Sequence, residues 1–385
     1  MTDLMKSAFQ LALCASIVFF AGCTGCGGTG GGTSTTPPVQ VTPPTISAAT
    51  TANTQNGAQM VTLTPTTSGS SIYYTIDGTS PTTSSIIYEA PFLVASSLTV
   101  NAIAAAPGDT NSSVTTKTFT LNIPSDTLVW SDDFTNTSTS NAEPDPLVWT
   151  YDTGNNSGWG NDELETYCAW GSTTPPCTTA TPNAFIAPSV GGLNIVAEEP
   201  SSGVYTSARM KTEGLFSFQY GRIEIQASVP EAQGFWPAFW LMGNNIDAVN
   251  WPACGEMDVM ERIDAAGSPD WNAGSIHGTG FTGSNIGKDF DFPTGQTAAT
   301  MHTYGMIWSK GSVAYYVDDA ASPYVTYTPS SISGFSGAVW PFDSGPNFII
   351  LNLAVGGSKS WPGNPDSSTP FPSFMQVNYV KIYAN

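Results

Sequence analysis

Short strand-like segments recur along most of this chain, and no long amphipathic helix is evident. In the C-terminal two thirds they fall at residues 193–197, 220–229, 313–317, 348–354 and 375–383. Short apolar runs bounded by Gly, Pro, Asn and Asp are typical of strands. A chain of many short strands buries its apolar surface by packing one sheet on another. The sequence therefore predicts an all-β fold built from packed antiparallel sheets.

The charge balance restricts the class of partner. The 385 residues include 30 acidic and only 10 basic side chains, a formal net charge of −20. Nucleic-acid binding needs patches of Lys and Arg to neutralise phosphates, so we expect no nucleic-acid partner. A sulfated polyanion is disfavoured for the same reason. A neutral polymer remains compatible with this composition.

The N-terminus has the features of an export signal. Lys6 precedes an apolar stretch, 7–21, that is too short to span a bilayer. The sequence Ala21-Gly22-Cys23 resembles a bacterial lipoprotein signal, which predicts a signal peptide at 1–22 and lipidation of Cys23. We expect an exported outer-membrane or cell-surface lipoprotein held at the membrane by its lipid anchor. The alternative is an ordinary signal peptide cut nearby and a secreted protein.

A low-complexity tether and a small domain follow the signal. Residues 23–45 are rich in Gly, Thr, Ser and Pro and carry no charge, as in a flexible linker. Residues 46–123 show alternating runs separated by turns and predict a small antiparallel sandwich. The stretch 73–81, with Tyr88 and 98–104, resembles the immunoglobulin-like domain at the C-terminus of chitobiases. We expect a separable spacer; a carbohydrate-binding role lacks the tryptophan platform it would need.

The cysteines predict one disulfide. Cys168 and Cys177 bracket a short Pro/Thr loop and could close it in an oxidising compartment. Cys26 and Cys254 have no obvious mates. No pair has zinc-ligand spacing and the chain has only 2 histidines, so we expect no zinc site.

One strand-like run in the region 126–385 carries three carboxylates. Glu256, Asp258 and Glu261 are interleaved with Met, Val and Ile in the run 255–264. Side chains alternate along a strand, so Glu256 and Asp258 share a face, and an extra residue near 259–260 would return Glu261 to it. Two glutamates on one face can act as nucleophile and acid/base of a retaining glycosidase. A solvated edge strand and a cation site are the simpler interpretations.

The residues around this run favour sugar chemistry. All eleven tryptophans lie in 126–385. Indoles can stack on pyranose rings, and Arg guanidinium groups orient carboxylates and hydroxyls by forked hydrogen bonds. We expect each of the three arginines, Arg209, Arg222 and Arg262, to lie next to the acidic strand or in a segment that pairs near it. His277 alone is more often structural than functional. The candidate substrate-binding residues are Asn161, Arg209, Trp236, Trp240, Trp251 and His277.

Together these segments resemble glycoside hydrolase family 16, in particular its laminarinase-like endo-β-1,3-glucanases. The resemblance spans about 128–383 and includes 129–134, 159–164, 205–209, 220–224, 236–240, 251–261, 302–308, 352–357 and 377–383. It implies a concanavalin A-like β-jelly roll, with Glu256 as nucleophile, Glu261 as acid/base and Asp258 assisting between them. It also implies a retaining hydrolase of neutral β-1,3-glucan.

The resemblance leaves several alternatives open. Other specificities within the family are mixed-linkage β-1,3-1,4-glucan hydrolysis, galactan hydrolysis and transglycosylation. The alternative outside enzymes is a glucan-binding lectin, which the intact carboxylate set disfavours. No cofactor is expected to be required. Asn378 stands where many relatives have an Asp that helps to hold a structural calcium, so any calcium there would be weakly bound. We expect a monomer.

Overall fold

The computed structural model describes residues 37–189, 191–264, 270–283 and 286–385. The predicted signal peptide, Cys23 and most of the predicted linker lie outside these residues. None of the helices in the described part of the chain is long and apolar enough to cross a membrane.

The N-terminal module is a small sandwich of two antiparallel sheets. One sheet has the order β1-β2-β5 and the other β4-β3-β6-β7. Alternate residues of these strands, among them Leu63, Ile72, Tyr74 and Val100, enclose a core of their own. The strands are β1 (Thr45–Ala49), β2 (Gln59–Thr64), β3 (Ser71–Thr75), β4 (Ile86–Ile87), β5 (Phe92–Val94), β6 (Leu98–Ala105) and β7 (Thr115–Phe119).

This module begins earlier than the sequence suggested. Gln40 forms a bridge with Thr110, Val41 is only 3% exposed, and β1 starts at Thr45. The last residues of the predicted linker are therefore part of the sandwich. Their Pro-rich, uncharged composition is typical of a tether. The segment with which they pair, around Thr110, is 70 residues away and could not be identified from the local sequence.

The C-terminal region, 126–385, forms a larger sandwich. Its ten-stranded sheet follows the order β10-β13-β12-β24-β15-β20-β21-β22, with β11 beside β12 and β8 beside β24. Its seven-stranded sheet follows β19-β18-β17-β16-β23-β14-β9. The only α-helix in the described residues of this region is the single turn α1 (Ile246–Val249). A short 3₁₀ helix spans Pro329–Ile332.

Seventeen strands make up these two sheets. They are β8 (Leu128–Asp132), β9 (Thr150–Asp152), β10 (Thr166–Tyr167), β11 (Ala184–Ile186), β12 (Leu193–Ser201), β13 (Val204–Ser207), β14 (Arg209–Lys211), β15 (Gly221–Ser228), β16 (Phe235–Gly243), β17 (Glu256–Glu261), β18 (Trp271–His277), β19 (Gly287–Asp291), β20 (His302–Ser309), β21 (Ser312–Val317), β22 (Val325–Tyr327), β23 (Asn347–Val355) and β24 (Ser373–Tyr383).

The core lies between the two large sheets. Side chains such as Ile223 and Ile225 on β15 and Phe239 and Leu241 on β16 are fully buried in one cluster. Their alternation with less buried neighbours is the period of two that the sequence showed. The predicted all-β sandwich is confirmed, and each of the five predicted strand segments falls on an observed strand.

The two sandwiches share an interface. Phe92 forms a parallel bridge with Ser217, and Thr54 forms an antiparallel bridge with Trp130. Ala58, Met60 and Leu93 of the module belong to the same apolar cluster as the larger core. Residues Val39–Asn385 accordingly form one compact unit. The module that we expected to be a separable spacer is packed against its neighbour.

The predicted disulfide is present. Cys168 and Cys177 are bonded, with their Cα atoms 5.7 Å apart, and both are buried. Cys254 is a buried free thiol, and burial together with the nearby Glu256 charge raises its pKa to about 12. Cys254 is therefore neutral at physiological pH.

Candidate active site

The three carboxylates lie on β17, an interior strand of the seven-stranded sheet. This strand pairs with β16 on one side and β18 on the other. Across β18, Glu256 is opposite His277, Asp258 is opposite Ser275, and Glu261 is opposite Ala273. The register shifts between Asp258 and Glu261 on both sides of the strand, which is the bulge predicted near 259–260.

The bulge separates a polar face from an apolar face. Met257, Val259 and Met260 are buried in the main core between the sheets. Glu256 and Glu261 are half-buried and keep part of their surface open, whereas Asp258 is only 2% exposed. The carboxylates therefore line the open face of the sheet and form the floor of a cleft.

Each outer glutamate accepts a hydrogen bond from a tryptophan. Trp251 Nε1 donates to Glu256 Oε2 at 2.7 Å, and Trp236 Nε1 donates to Glu261 Oε1 at 3.0 Å. Ser275 Oγ also donates to Glu261 Oε2 at 3.2 Å. These donors fix the orientation of both carboxylates. Two of the predicted binding residues, Trp236 and Trp251, therefore contact the catalytic candidates directly.

His277 belongs to the same cluster. Its Nε2 atom lies 3.0 Å from Asp258 Oδ2, a close polar contact whose angle falls outside that of a regular hydrogen bond. One ligand atom each from Glu256, Asp258 and His277 lie within 4.8 Å of one another. A cation could therefore compete with protons for this group. The structure thus places His277 beside Asp258 and Glu256.

Burial and mutual repulsion favour protons on these carboxyl groups. Burial raises the pKa of Glu256 to about 8, and the Asp258 charge adds to the rise. Burial followed by the Glu256 charge raises the pKa of Glu261 to about 7. Burial and the Glu261 charge raise the pKa of Asp258 well above its usual range. The cluster therefore holds protons at neutral pH, as general acid catalysis requires.

A second polar network lies on the same face, further from β17. Trp240 Nε1 donates to Asn352 Oδ1 at 2.8 Å, Asn352 donates to the Tyr167 hydroxyl, and that hydroxyl donates to Glu163. These three consecutive hydrogen bonds, which link β16 to β23, hold the Trp240 indole in one orientation. The edge of the cleft on this side is therefore rigid.

Arg209 joins this network through two indoles. Its guanidinium lies 4.7 Å from the Trp240 ring centroid and 5.1 Å from that of Trp159, and Nε is 2.9 Å from Asp152. Asn161 is exposed, and its amide donates to Glu163. The structure brings Arg209 and Trp240 together, whereas Asn161 lies at the rim and makes its hydrogen bonds within its own loop.

Several residues of the cleft were not identified from the sequence. Trp361 is 47% exposed and packs edge-on against Trp236 and obliquely against Trp271. Ser275 and Asn352 bond directly to site residues. The period of two on β18 could have identified Ser275, which shares a face with His277. The only sequence feature that could have identified Trp361 is an indole in a loop rich in Gly and Pro.

One of the three arginines does not lie where we expected. Arg222 is on β15 of the ten-stranded sheet, where it pairs with Glu224 and stacks on Tyr383. The expectation that Arg222 lies near the acidic strand is wrong, because β15 pairs with β20 and β24. Arg262 follows β17 directly, as expected, and its buried guanidinium faces Glu231 at 3.0 Å. Both arginines neutralise structural carboxylates.

The surroundings of Asn378 offer few calcium ligands. Its amide donates to Gln226 Oε1 at 2.8 Å on the exposed side of the ten-stranded sheet. Among the described residues, the one cluster of acidic and histidine side chains that could hold a metal is the group at Glu256. Calcium prefers six to eight oxygens with several carboxylates. The donor set at Asn378 is a poor fit.

Comparisons with known proteins agree with this geometry. The family model described as "Glycosyl hydrolases family 16" matches residues 176–380, and the model "Fn3 associated" matches 61–119. The second match fits the immunoglobulin-like sandwich of the N-terminal module. The first covers β17 and most of the large sandwich.

Individual relatives are similar over the same region. "Beta-glucanase" of Rhodothermus marinus is 34% identical over 267 residues, 66% of this chain and 84% of that protein. "Glucan endo-1,3-beta-glucosidase A1" of Niallia circulans is 34% identical over 245 residues, 59% of this chain, which spans only 33% of that longer protein.

A solved structure extends the similarity to the fold. The catalytic domain of an endo-1,3-beta-glucanase (laminarinase) from Thermotoga petrophila RKU-1 is 36% identical, with a TM-score of 0.57. The match covers 67% of this chain and 97% of that domain. The large sandwich is thus a β-jelly roll with a glycosidase cleft, and the chain belongs to glycosyl hydrolases family 16.

Proposed function

We propose that this protein is a retaining endo-β-1,3-glucanase acting on laminarin-type glucan. The observation that carries the proposal is the arrangement on β17, where a bulge places Glu256 and Glu261 on one open face. Each is held by its own indole donor. Glucan-hydrolysing relatives supply the substrate class.

The arrangement supports a double displacement. Glu256 attacks the anomeric carbon while Glu261, in its protonated form, gives its proton to the departing glycosidic oxygen. Glu261 then removes a proton from water, and that water releases the glycosyl-enzyme with retained configuration. Trp236 and Ser275 donate hydrogen bonds to different oxygens of Glu261. Together they hold its carboxylate in one orientation for both proton transfers.

Asp258 influences which of the carboxyl groups carries a proton. The charge of the buried Asp258 raises the pKa of Glu256, and the Glu261 charge in turn raises the pKa of Asp258. The productive form has Glu256 ionised and the proton on Glu261. The hydrogen bond from Trp251 favours the ionised form of Glu256, as the first step requires.

The lining of the cleft suits a neutral glucan. Indoles of Trp236, Trp240, Trp251 and Trp361 reach the open face and can pack against pyranose rings. A net charge of −20 disfavours sulfated galactans such as carrageenan. We infer that the enzyme acts as a monomer, because the cleft is built from one chain.

Product analysis on purified protein tests the substrate. Reducing sugar and a ladder of oligosaccharides should appear from laminarin, with Glu261→Gln as the inactive control. Comparable rates on lichenan would indicate mixed-linkage activity instead. Hydrolysis confined to agarose or carrageenan would refute the β-1,3-glucan assignment, and tight laminarin binding without any hydrolysis would indicate a lectin.

We propose in addition that the mature protein is anchored outside the cytoplasm through lipidated Cys23. A diacylated cysteine carries two acyl chains, which suffice for stable membrane attachment where one does not. Labelling cells with a palmitate analogue should mark the wild-type protein and leave Cys23→Ser unmarked. An unlabelled, freely soluble wild-type protein would show ordinary signal cleavage.

Calcium at Asn378 is the remaining proposal, and the neutral donor set predicts weak binding. Millimolar calcium should raise the melting temperature only slightly, and a chelator should leave activity intact. A large loss of stability in chelator would show a tight site that these residues do not explain.

A further inference from the structure

A large cleft lies away from the catalytic carboxylates, between the N-terminal module and the jelly roll. Its volume is about 1040 Å³. Cavities that hold drug-sized ligands run from about 300 to 1,000 Å³, so this interdomain cleft has room for a short oligosaccharide. Residues that line it from both sandwiches include Tyr73, Asp77, Ser84, Gln219, Tyr220 and Asp343.

The walls of the interdomain cleft are fixed in place. Tyr220 packs edge-on against Trp308, and its hydroxyl donates to Asp343 Oδ1 at 3.2 Å. Asp343 also accepts from the Gly311 amide. On the other wall, Tyr73 lies on β3, which pairs with β4 and β6. The Phe92–Ser217 bridge joins the two walls, so the cleft is preformed.

The chemistry of the walls suits a neutral, hydroxyl-rich ligand. Tyr73 and Tyr220 are half-buried and present part of their surface to the cleft. Asp77 on the module and Lys310 on the jelly roll also line it, so its charges are mixed. Tyrosine rings with a few dispersed polar groups are typical of surfaces that bind sugars by stacking and hydrogen bonding.

One polar atom at this site lacks a partner. Gln219 Nε2 donates to the Asp343 backbone oxygen at 3.3 Å, whereas Gln219 Oε1 is buried without a hydrogen-bond partner among the residues that the structure describes. Leaving a buried acceptor without a hydrogen bond is energetically unfavourable. A hydroxyl donor from a ligand in the cleft, reached by a small rotation of the amide, would satisfy it.

We propose that the interdomain cleft is a second, non-catalytic binding site for a segment of the neutral β-glucan that the active site cleaves. The proposal rests on the proposed function for the identity of the glucan. A second site on the same chain raises the effective concentration of polymer at the active site. It gives the N-terminal module a part in substrate capture, although the module contains no tryptophan.

Binding should be measured without turnover, by calorimetric titration of β-1,3-gluco-oligosaccharide into full-length Glu261→Gln protein. We expect two sites. Ser84→Trp, which fills the cleft from its exposed rim, should weaken one site at least about tenfold. Tyr73→Ala should weaken the same site, and the matched control Ser113→Trp, on an exposed loop of the module away from the cleft, should change neither.

Activity provides the second readout. In the otherwise wild-type enzyme, Ser84→Trp should raise KM for polymeric laminarin several-fold and leave kcat/KM on a short oligosaccharide unchanged. A single binding site insensitive to Ser84→Trp and Tyr73→Ala would overturn the inference, whatever the activity. Absence of laminarin hydrolysis in the wild type, with the Ser84-sensitive site intact, would instead refute only the proposed activity.

Discussion

Glu256 and Glu261, the proposed nucleophile and acid/base, carry different hydrogen-bond partners. Glu256 receives one indole donor, from a Trp251 side chain that is 40% exposed at the cleft rim. Glu261 receives an indole and a hydroxyl donor from neighbouring strands. The structure without substrate gives Glu256 the higher of the two pKa values. Bound substrate must therefore help to place the proton on Glu261.

Azide rescue should separate the two roles. Glu256→Ala and Glu261→Ala should each lose about 10³-fold or more in rate on natural glucan, since each removes one half of the double displacement. On a substrate with an activated leaving group, azide should give Glu256→Ala an inverted glycosyl azide, because the anion replaces the nucleophile. Glu261→Ala should give the retained azide. Product stereochemistry by NMR decides the matter, and the opposite pairing would reverse the assignment.

The Asp258 charge should set the alkaline limit of activity. Because this charge raises the pKa of Glu256, which is the higher of the two glutamate values, Asp258→Asn should lower the proton affinity of Glu256. The alkaline limb of the kcat/KM profile should move to lower pH by about one unit, and kcat should fall about 10²-fold.

The control for this profile is Asp126→Asn, which removes one charge from a side chain that is 80% exposed and lies at Arg222. It should leave the profile unchanged. An unaltered alkaline limb in Asp258→Asn would show that Asp258 does not tune Glu256 and acts only through packing.

At the scale of elements, the sequence predicts which side chains share a face of a strand, but it does not predict which strands become neighbours. The face shared by Glu256, Asp258 and Glu261 follows from side-chain alternation plus one bulge, so it was predictable. The partners of Glu261 and Trp240, namely Ser275 and Asn352, depend on which strands become neighbours. Arg222 was misplaced for the same reason, because a strand's sequence does not state which sheet it joins.

The disulfide should stabilise the edge of the jelly roll next to the Trp240 network. Cys168 follows β10, and Tyr167 on β10 belongs to the hydrogen-bond chain that ends at Trp240. The separation of 9 residues predicts a loss of about 2–3 kcal/mol when Cys168→Ser and Cys177→Ser are combined. Urea denaturation measures it, and a reductant should lower wild-type stability but not that of the double variant.

An unchanged unfolding midpoint in the double variant would show that backbone pairing alone holds this edge. Two contacts would then suffice. They are the parallel pairing of β10 with β13 and the hydrogen bond from the Cys168 backbone N–H to the Ser207 carbonyl oxygen.

At the scale of the whole molecule, the module and the jelly roll should unfold together. Met60 and Leu93 pack into the larger core, and Asn53 and Asn56 donate side-chain hydrogen bonds to Ser131 and Leu128. Calorimetry of the full chain should show one transition. The fragment 126–385 should melt at a lower temperature, because removing the module exposes apolar surface to water.

The fragment should nevertheless keep its rate on short soluble oligosaccharides at temperatures where it is folded, since the hydrogen bonds and bridges named above join the module to β8 and to Ser217 rather than to the carboxylates. Two separated transitions in the full chain would contradict a single cooperative unit. A large loss of rate in the folded fragment would show that the module also supports the catalytic strand.

The module's contact with the loop that precedes β23 offers a route for such support. Ile86 packs so close to Gly345 that a β-carbon there would lie 3.2 Å from Ile86 Cγ2. In the same loop, Pro341 packs against Gly255, the residue before Glu256, where a β-carbon would lie 2.8 Å away. These glycines allow three segments from distant parts of the chain to meet beneath the nucleophile.

The bulge on β17 has a consequence for the evolution of the gene. In a regular strand, loss of one codon turns every later side chain to the opposite face. Here Val259 is the extra residue, so an in-frame deletion of its codon would leave Glu256, Asp258 and Glu261 at alternate positions. Glu261 would then remain on the face that it occupies now. A single codon deletion or insertion in this strand could thus change its length while the three carboxylates remain on one face.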